Sequence, residues 1–245
     1  MVWNEGFRGL GMFKAKFKLL AGAGAAKPFY CVKNEAVPTL YVYDQIDAWY
    51  GVSAKQFVQD LNGMDATEIH VRINSVGGDV FEAKAMATAL RNHKAKVVTF
   101  VDGLAASAAT TVAIAGDEVH MAPTAQFMIH NAWSYAAGDY RDMAKMSDTL
   151  KRVNDGIVAE YADKTGLSVT QIEQMMNDET WLNGAEALQK GFVDVLDETA
   201  SKASNMWDLS GFKNVPADFL NVEPVQEQVD VEYLRRYMRM IEVCD

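Results

Sequence analysis

One serine, one histidine and a pair of glycines stand where an acyl-transfer site could be assembled. Ser107 lies in VDGLAASAATTVAIAG (residues 101–116), a stretch dominated by Ala, Gly and Val. A serine hydroxyl is a weak nucleophile by itself. It needs an imidazole to take its proton, a third group to orient that imidazole, and N–H donors aimed at the developing oxyanion. The same residue also suits a plain helix N-cap, a role serine often fills. Gly77 and Gly78, in INSVGGDV, permit positive φ and close backbone approach ahead of a helix start whose N–H groups are unpaired. Such donors fit an oxyanion hole, and the same pair fits a tight turn. Of the four histidines, His93 sits in the charged RNHKAK, while His70 and His120 fall inside alternating segments. His130 ends QFMIH where a loop begins. Strand ends feeding loops are where α/β folds carry chemistry, which makes His130 the candidate base.

The elements that must position these groups alternate along the chain. TLYVYDQI (Thr39–Ile46) reads as a strand. SAKQFVQDLNGM reads as a helix capped by Ser53, with Phe57, Val58 and Leu61 on one face. EIHVRIN (Glu68–Asn74) alternates as a strand, breaks at SVGGD, and leads into a helix over VFEAKAMATALRNH. AKVVTFVDG is a β-branched, buried-type strand, and a helix follows Ser107. DEVHMA and AQFMIH are two more short strands. This alternation through residues 39–130 predicts an α/β fold with largely parallel pairing. A long helix comes next: Tyr140, Met143, Met146, Leu150, Val153, Ile157 and Tyr161 step by three or four residues. That stripe suits either core packing or a subunit interface. Ser168 and Gln171 have capping-box spacing, and NGAEALQKGFVDVL forms a last helix closed by Gly191 and a strand. Residues 199–245 read as a linker and an amphipathic tail helix, with Val231, Leu234, Met238 and Ile241 on one face.

Composition narrows the function classes. The 245 residues carry a net charge of -10, which argues against a nucleic-acid surface. The two cysteines, Cys31 and Cys244, form no CxxC or Cys/His spacing, so neither a zinc site nor a disulfide framework is suggested and a reducing compartment is natural. No apolar run is long enough to span a membrane. Residues 1–37 read as a leader or pro-segment, basic through Arg8, Lys14, Lys16, Lys18 and Lys27. The phosphate-loop pattern GxxxxGK[ST] is absent.

Taken in order, INSVGGDV, DGLAASAA, MIHNAW and ETWLNGAEALQKGFVD resemble the Clp-type serine proteases across about residues 38–198. The resemblance implies an α/β, ClpP/crotonase-like spiral of ββα units with a long projecting handle helix. It implies a serine endopeptidase without metal or organic cofactor, acting on protein or peptide as a cyclic homo-oligomer in the bacterial cytoplasm. Ser107 matches the nucleophile and His130 the general base. Glu179 falls at the acid position, where the family usually has Asp; Asp178 is adjacent and stays open as an alternative. Gly78 and Ala108 match the oxyanion donors, and Val76 stands where the family commonly has Pro. YDQIDAWYGVSAKQF, NSVGGDVFEA and GFKNVPADF look more like the branch of tailed bacteriophages and prophages, whose members are head-maturation proteases. That branch implies scaffold or capsid protein as substrate, action inside the procapsid, and a targeting role for the tail. The alternatives are a degradative Clp subunit served by a separate ATP-driven unfoldase, a crotonase-type acyl-CoA enzyme, and a non-catalytic shell protein.

Overall fold

A computed structural model describes residues 30–33, 37–198, 207 and 209–217. The chain enters through β1 (Tyr30–Lys33), which pairs antiparallel with β2 (Thr39–Val42). From there strands and helices alternate as their residue patterns require. Helix α1 (Ala54–Asn62) buries Phe57 and Leu61. The Ser53 hydroxyl accepts from the Gln56 amide at its start, a cap worth ~1 kcal/mol. Strand β3 (Glu68–Ser75) buries every second residue. Asp79 then caps α2 (Val80–Arg91), accepting from the amides of Phe81 and Glu82.

Strand β4 (Lys96–Ala106) is the axis of the fold. It is followed by the short α3 (Ala108–Ala113), β5 (Glu118–Met121), β6 (Gln126–Ile129) and the long α4 (Tyr140–Thr165). The chain continues through α5 (Val169–Asn177), β7 (Thr180–Asn183), α6 (Gly184–Gln189) and β8 (Val195–Leu196). The sheet runs β1-β2-β3-β4-β5-β8, parallel from β2 onward. Beyond Val101 the far end of β4 changes partner: Leu104–Ala106 pairs with Gln126–Met128 of β6, which in turn pairs antiparallel with β7. One long strand thus serves two branches of the sheet, and the branch point delivers the ends of β4 and β6 to the same place.

The core lies between the sheet and its helices. Leu40, Phe57, Ile69, Ile73, Met86, Met121, Phe127 and Phe192 are fully buried, each contributing about 1.5–3 kcal/mol of transfer free energy. The handle helix α4 settles the two readings of its stripe by position. Ile157, Val158 and Tyr161 are buried against the body, whereas Tyr140 is 81% exposed and Met143 also faces outward. The last third of the stripe is core; the first half projects beyond it.

The structure departs from the sequence reading in several places. Residues 30–33, placed in the leader, form an edge strand of the sheet. Thr39–Ile46 is a strand only as far as Val42, with Ile46 retained as an isolated bridge to Val52 and Gly78. The TWLN segment is too short to show alternation, yet it becomes β7 because β6 offers it a partner edge. Residues Trp207 and Leu209–Val215, placed in a linker, pack back on the body of the fold. Residues 1–29 of the leader and the tail helix over 229–243 lie outside the described residues. No helix among the described residues is long and apolar enough to cross a membrane.

Candidate active site

Ser107 occupies the single residue between β4 and α3. Its backbone has φ 54° and ψ -127°, a conformation that costs an L-residue about 1–3 kcal/mol and persists only where the surroundings enforce it. The enforcing contacts are visible. The Ser107 amide donates to Met128 O of β6 at 2.9 Å, and its carbonyl accepts from the Thr110 amide at 3.0 Å. Thr110 Oγ1 also donates to that carbonyl, and the buried Tyr161 hydroxyl meets Thr110 Oγ1 at 2.5 Å, which ties the turn to the handle helix. Burial holds the Tyr161 phenol well above its ordinary pKa, so it stays a neutral donor. Although Ser107 stands at an N-cap position, its side chain makes no capping bond. The hydroxyl instead meets His130 Nε2 at 2.8 Å.

The glycine pair fits against this turn. A Cβ on Gly77 (φ 85°) would lie 2.4 Å from Ala106 O and 2.7 Å from Ala108 N. On Gly78 (φ 147°) it would lie 2.1 Å from Ile46 O. Glycine is therefore required at both positions by contact as well as by φ. No described residue accepts from the N–H of Gly78 or of Ala108. Two unspent amide donors beside a serine hydroxyl can receive an oxyanion.

His130 and the acid come together through strand register. The β6–β7 ladder ends at the pair Ile129↔Thr180, so the next residues outward, His130 and Glu179, emerge side by side. Glu179 has φ 49°; it and Ser107 are the two non-glycine residues with positive φ among the described residues. Strain of this kind gathers at functional sites. Glu179 is 9% exposed and acts electrostatically on His130. Asp178 is exposed, caps α5 and accepts from Gln174 Nε2 at 2.8 Å. Of the two neighbouring acids, Glu179 is the buried one beside the strand end that carries His130, and Asp178 faces outward. No described residue bonds His130 Nδ1. The other three histidines stay away: His70 pairs with Glu68, His120 with Glu118, and His93 Nδ1 accepts from the Ala95 amide. Among the described residues no cluster of His, Cys, Asp and Glu could hold a metal ion.

Sequence reasoning missed one part of the site. Glu179 Oε1 accepts from the amides of Lys213 and Asn214 at 2.6 and 2.8 Å and from Trp181 Nε1 at 3.3 Å. The Phe212 ring lies 5.9 Å from the His130 ring, centroid to centroid. The aromatic and apolar spacing in WDLSGF was the available signal, and it was obscured by the polar residues around it.

Burial lowers the His130 pKa below its usual 6.5, the Lys213 charge lowers it further, and Glu179 opposes both. The imidazole is therefore a free base at neutral pH. Activity requiring that base is lost as pH falls through the lowered pKa. The acid limb of kcat/KM for a peptide substrate is expected below pH 6.5; a limb centred above 7 would contradict this environment.

Comparisons with known proteins bear on the family and the fold. The family model described as Clp protease matches residues 42–199. An ATP-dependent Clp protease proteolytic subunit of Leuconostoc citreum (strain KM20) is 32% identical over 148 residues, covering 58% of this chain and 74% of that protein. One of Streptococcus suis (strain 98HAH33) is 32% identical over 148 residues, covering 58% and 76%. Among solved structures, a point mutant of ClpP1 from Listeria monocytogenes superposes with a TM-score of 0.58 at 25% identity, over 65% of this chain and 91% of that one. With a spiral α/β core, a serine turn facing a strand-end histidine, and a family match over most of the described body, the chain belongs to the Clp protease family.

Proposed function

We propose that this protein is a serine endopeptidase in which Ser107, His130 and Glu179 act as nucleophile, general base and orienting acid. The observation that carries the reading is the 2.8 Å contact between Ser107 Oγ and His130 Nε2 at a strained turn flanked by two free amides. His130 takes the Ser107 proton as Oγ attacks the peptide carbonyl. The amides of Gly78 and Ala108 receive the oxyanion, and the imidazolium returns its proton to the leaving amine. Water, deprotonated by the same imidazole, then releases the acyl group from Ser107. A fluorophosphonate probe is expected to label the full-length protein once, at Ser107, as read by peptide mass mapping. Unlabelled protein that binds coenzyme A would favour the acyl-CoA alternative.

The names of the relatives support a degradative role with a separate ATP-driven unfoldase better than they support head maturation. The head-maturation reading keeps one observation of its own. The GFKN stretch, part of the phage-like resemblance, packs on the site rather than trailing from it. Cleavage of a folded protein only when a Clp-type ATPase and ATP are supplied selects the degradative role. Cleavage of a phage scaffold protein without them selects the other. In either role the half-exposed stripe of α4 offers the face for joining copies in a closed ring, and the bacterial cytoplasm is the proposed compartment.

A further inference from the structure

Trp207 and residues 209–215 lie beyond the stretch matched by the family model, yet they pack on the strand ends that present Ser107 and His130 and bond Glu179. Trp207 Nε1 donates to Asn74 Oδ1, at the base of the Gly77–Gly78 loop, at 3.3 Å. Leu209 is buried in a satellite core with Leu104 and Ala106 of β4 and Met128 of β6, the strand ends that present Ser107 and His130. Phe212 packs edge-on against Trp181 and tilted over His130. Asn214 Nδ2 donates to Asp178 O at 2.6 Å, and the two successive amides of Lys213 and Asn214 converge on Glu179 Oε1.

We propose that this segment is a strap that positions the triad acid, so that the site is incomplete without it. The proposal rests on Glu179 being that acid. A carboxylate on a flexible side chain can rotate freely, and a glutamate has one more torsion to fix than an aspartate. Three N–H donors on Oε1 use that oxygen fully and pin the carboxylate plane. No described residue donates to Oε2, which is left as the oxygen for the imidazolium. Successive main-chain amides form a concave donor pair suited to an anion, and they are contributed by backbone rather than by side chains. The particular side chains at 213 and 214 are therefore secondary to their N–H groups. Lys213 and Asn214 are positioning residues: they act through Glu179 and do not touch the reacting atoms.

Proline substitution at 214 tests this because it deletes the main-chain donor without changing charge, and the alanine variant controls for the side-chain Nδ2 donor to Asp178 O that both variants lose. In the full-length protein, Asn214→Pro is expected to lower kcat at least tenfold with KM nearly unchanged, whereas Asn214→Ala, which keeps the N–H, should stay within about threefold of the parent. The His130 titration, followed by NMR, should move toward lower pH in Asn214→Pro and not in Asn214→Ala. Glu179 and Lys213 are the charged groups acting on that ring, and both are retained in these two variants. In a Glu179→Ala background the proline should have no further effect. If Asn214→Pro does not fold, Leu209→Ala, which loosens the strap at its buried anchor, must show the same kcat loss and His130 shift. Equal activity of the proline and alanine variants, or a gain in activity on loosening the strap, overturns the proposal. Full activity of Glu179→Ala would instead refute the underlying triad, so the two failures are distinguishable.

Discussion

Ser107→Ala is expected to reduce peptide hydrolysis by at least about a thousandfold, with the fold retained. The size follows from the role: acyl transfer through Ser107 has no substitute once Oγ is gone, and what remains is binding and the two amides. The fold should survive because the change removes one oxygen from a half-buried side chain that makes no capping bond. The turn itself is held by main-chain bonds to Met128 and Thr110, which alanine keeps. The backbone conformation at φ 54° is no easier for alanine than for serine, so stability should shift little. Steady-state turnover of a fluorogenic peptide, with circular dichroism and thermal melting as the fold control, checks both halves. Near-parental turnover would remove Ser107 from the mechanism and return it to a purely structural turn.

Glu179→Gln is expected to cut kcat by about a hundredfold or more, and Asp178→Asn by less than about threefold. Glutamine keeps the shape and can still accept from the Lys213 and Asn214 amides through its carbonyl oxygen, so the strap should remain seated. What it loses is the negative charge that supports His130 when the imidazole becomes an imidazolium. Since Glu179 raises the His130 pKa, its neutralisation should also move the acid limb of kcat/KM to lower pH. Asp178 points to Gln174 on the exposed side of α5 and supplies only its carbonyl to the strap, which asparagine preserves. The reverse ranking of the two variants would transfer the acid to Asp178.

Much of the fold was legible because its signals are local. Periodicity placed β3 and α4, β-branched content placed most of β4, the break at SVGGD placed the start of α2, and the caps at Ser53 and Ser168 sit where their residue types indicated. Candidate residues Ser107, His130 and Gly78 were each marked by a local feature: a serine at a strand–helix junction, an imidazole at a strand end, a glycine pair before a helix; Ala108 was marked only by the family resemblance. What joins them is not local. The branching of β4 between β5 and β6 decides that Ser107 and His130 meet, and it depends on pairing between segments whose sequences show no preference for that partner.

The choice between Glu179 and Asp178 belongs to tertiary structure for the same reason. Two adjacent acids are equivalent in a string of residues. They differ once β7 pairs antiparallel with β6, because the register sets Glu179 buried beside the strand end that carries His130 while the end of α5 turns Asp178 outward. The strap shows the limit most plainly. By itself WDLSGFKN is a polar stretch with scattered apolar residues. Leu209 and Phe212 acquire a partner only when the ends of β4 and β6 expose a small apolar face, and the amides of Lys213 and Asn214 acquire theirs only when Glu179 is already in place. Sequence determined which residues could do chemistry and which segments would be strands or helices, since those follow from side-chain type and short-range periodicity. Tertiary structure alone decided which of those residues share a site, because strand register and long-range burial are properties of the packed chain.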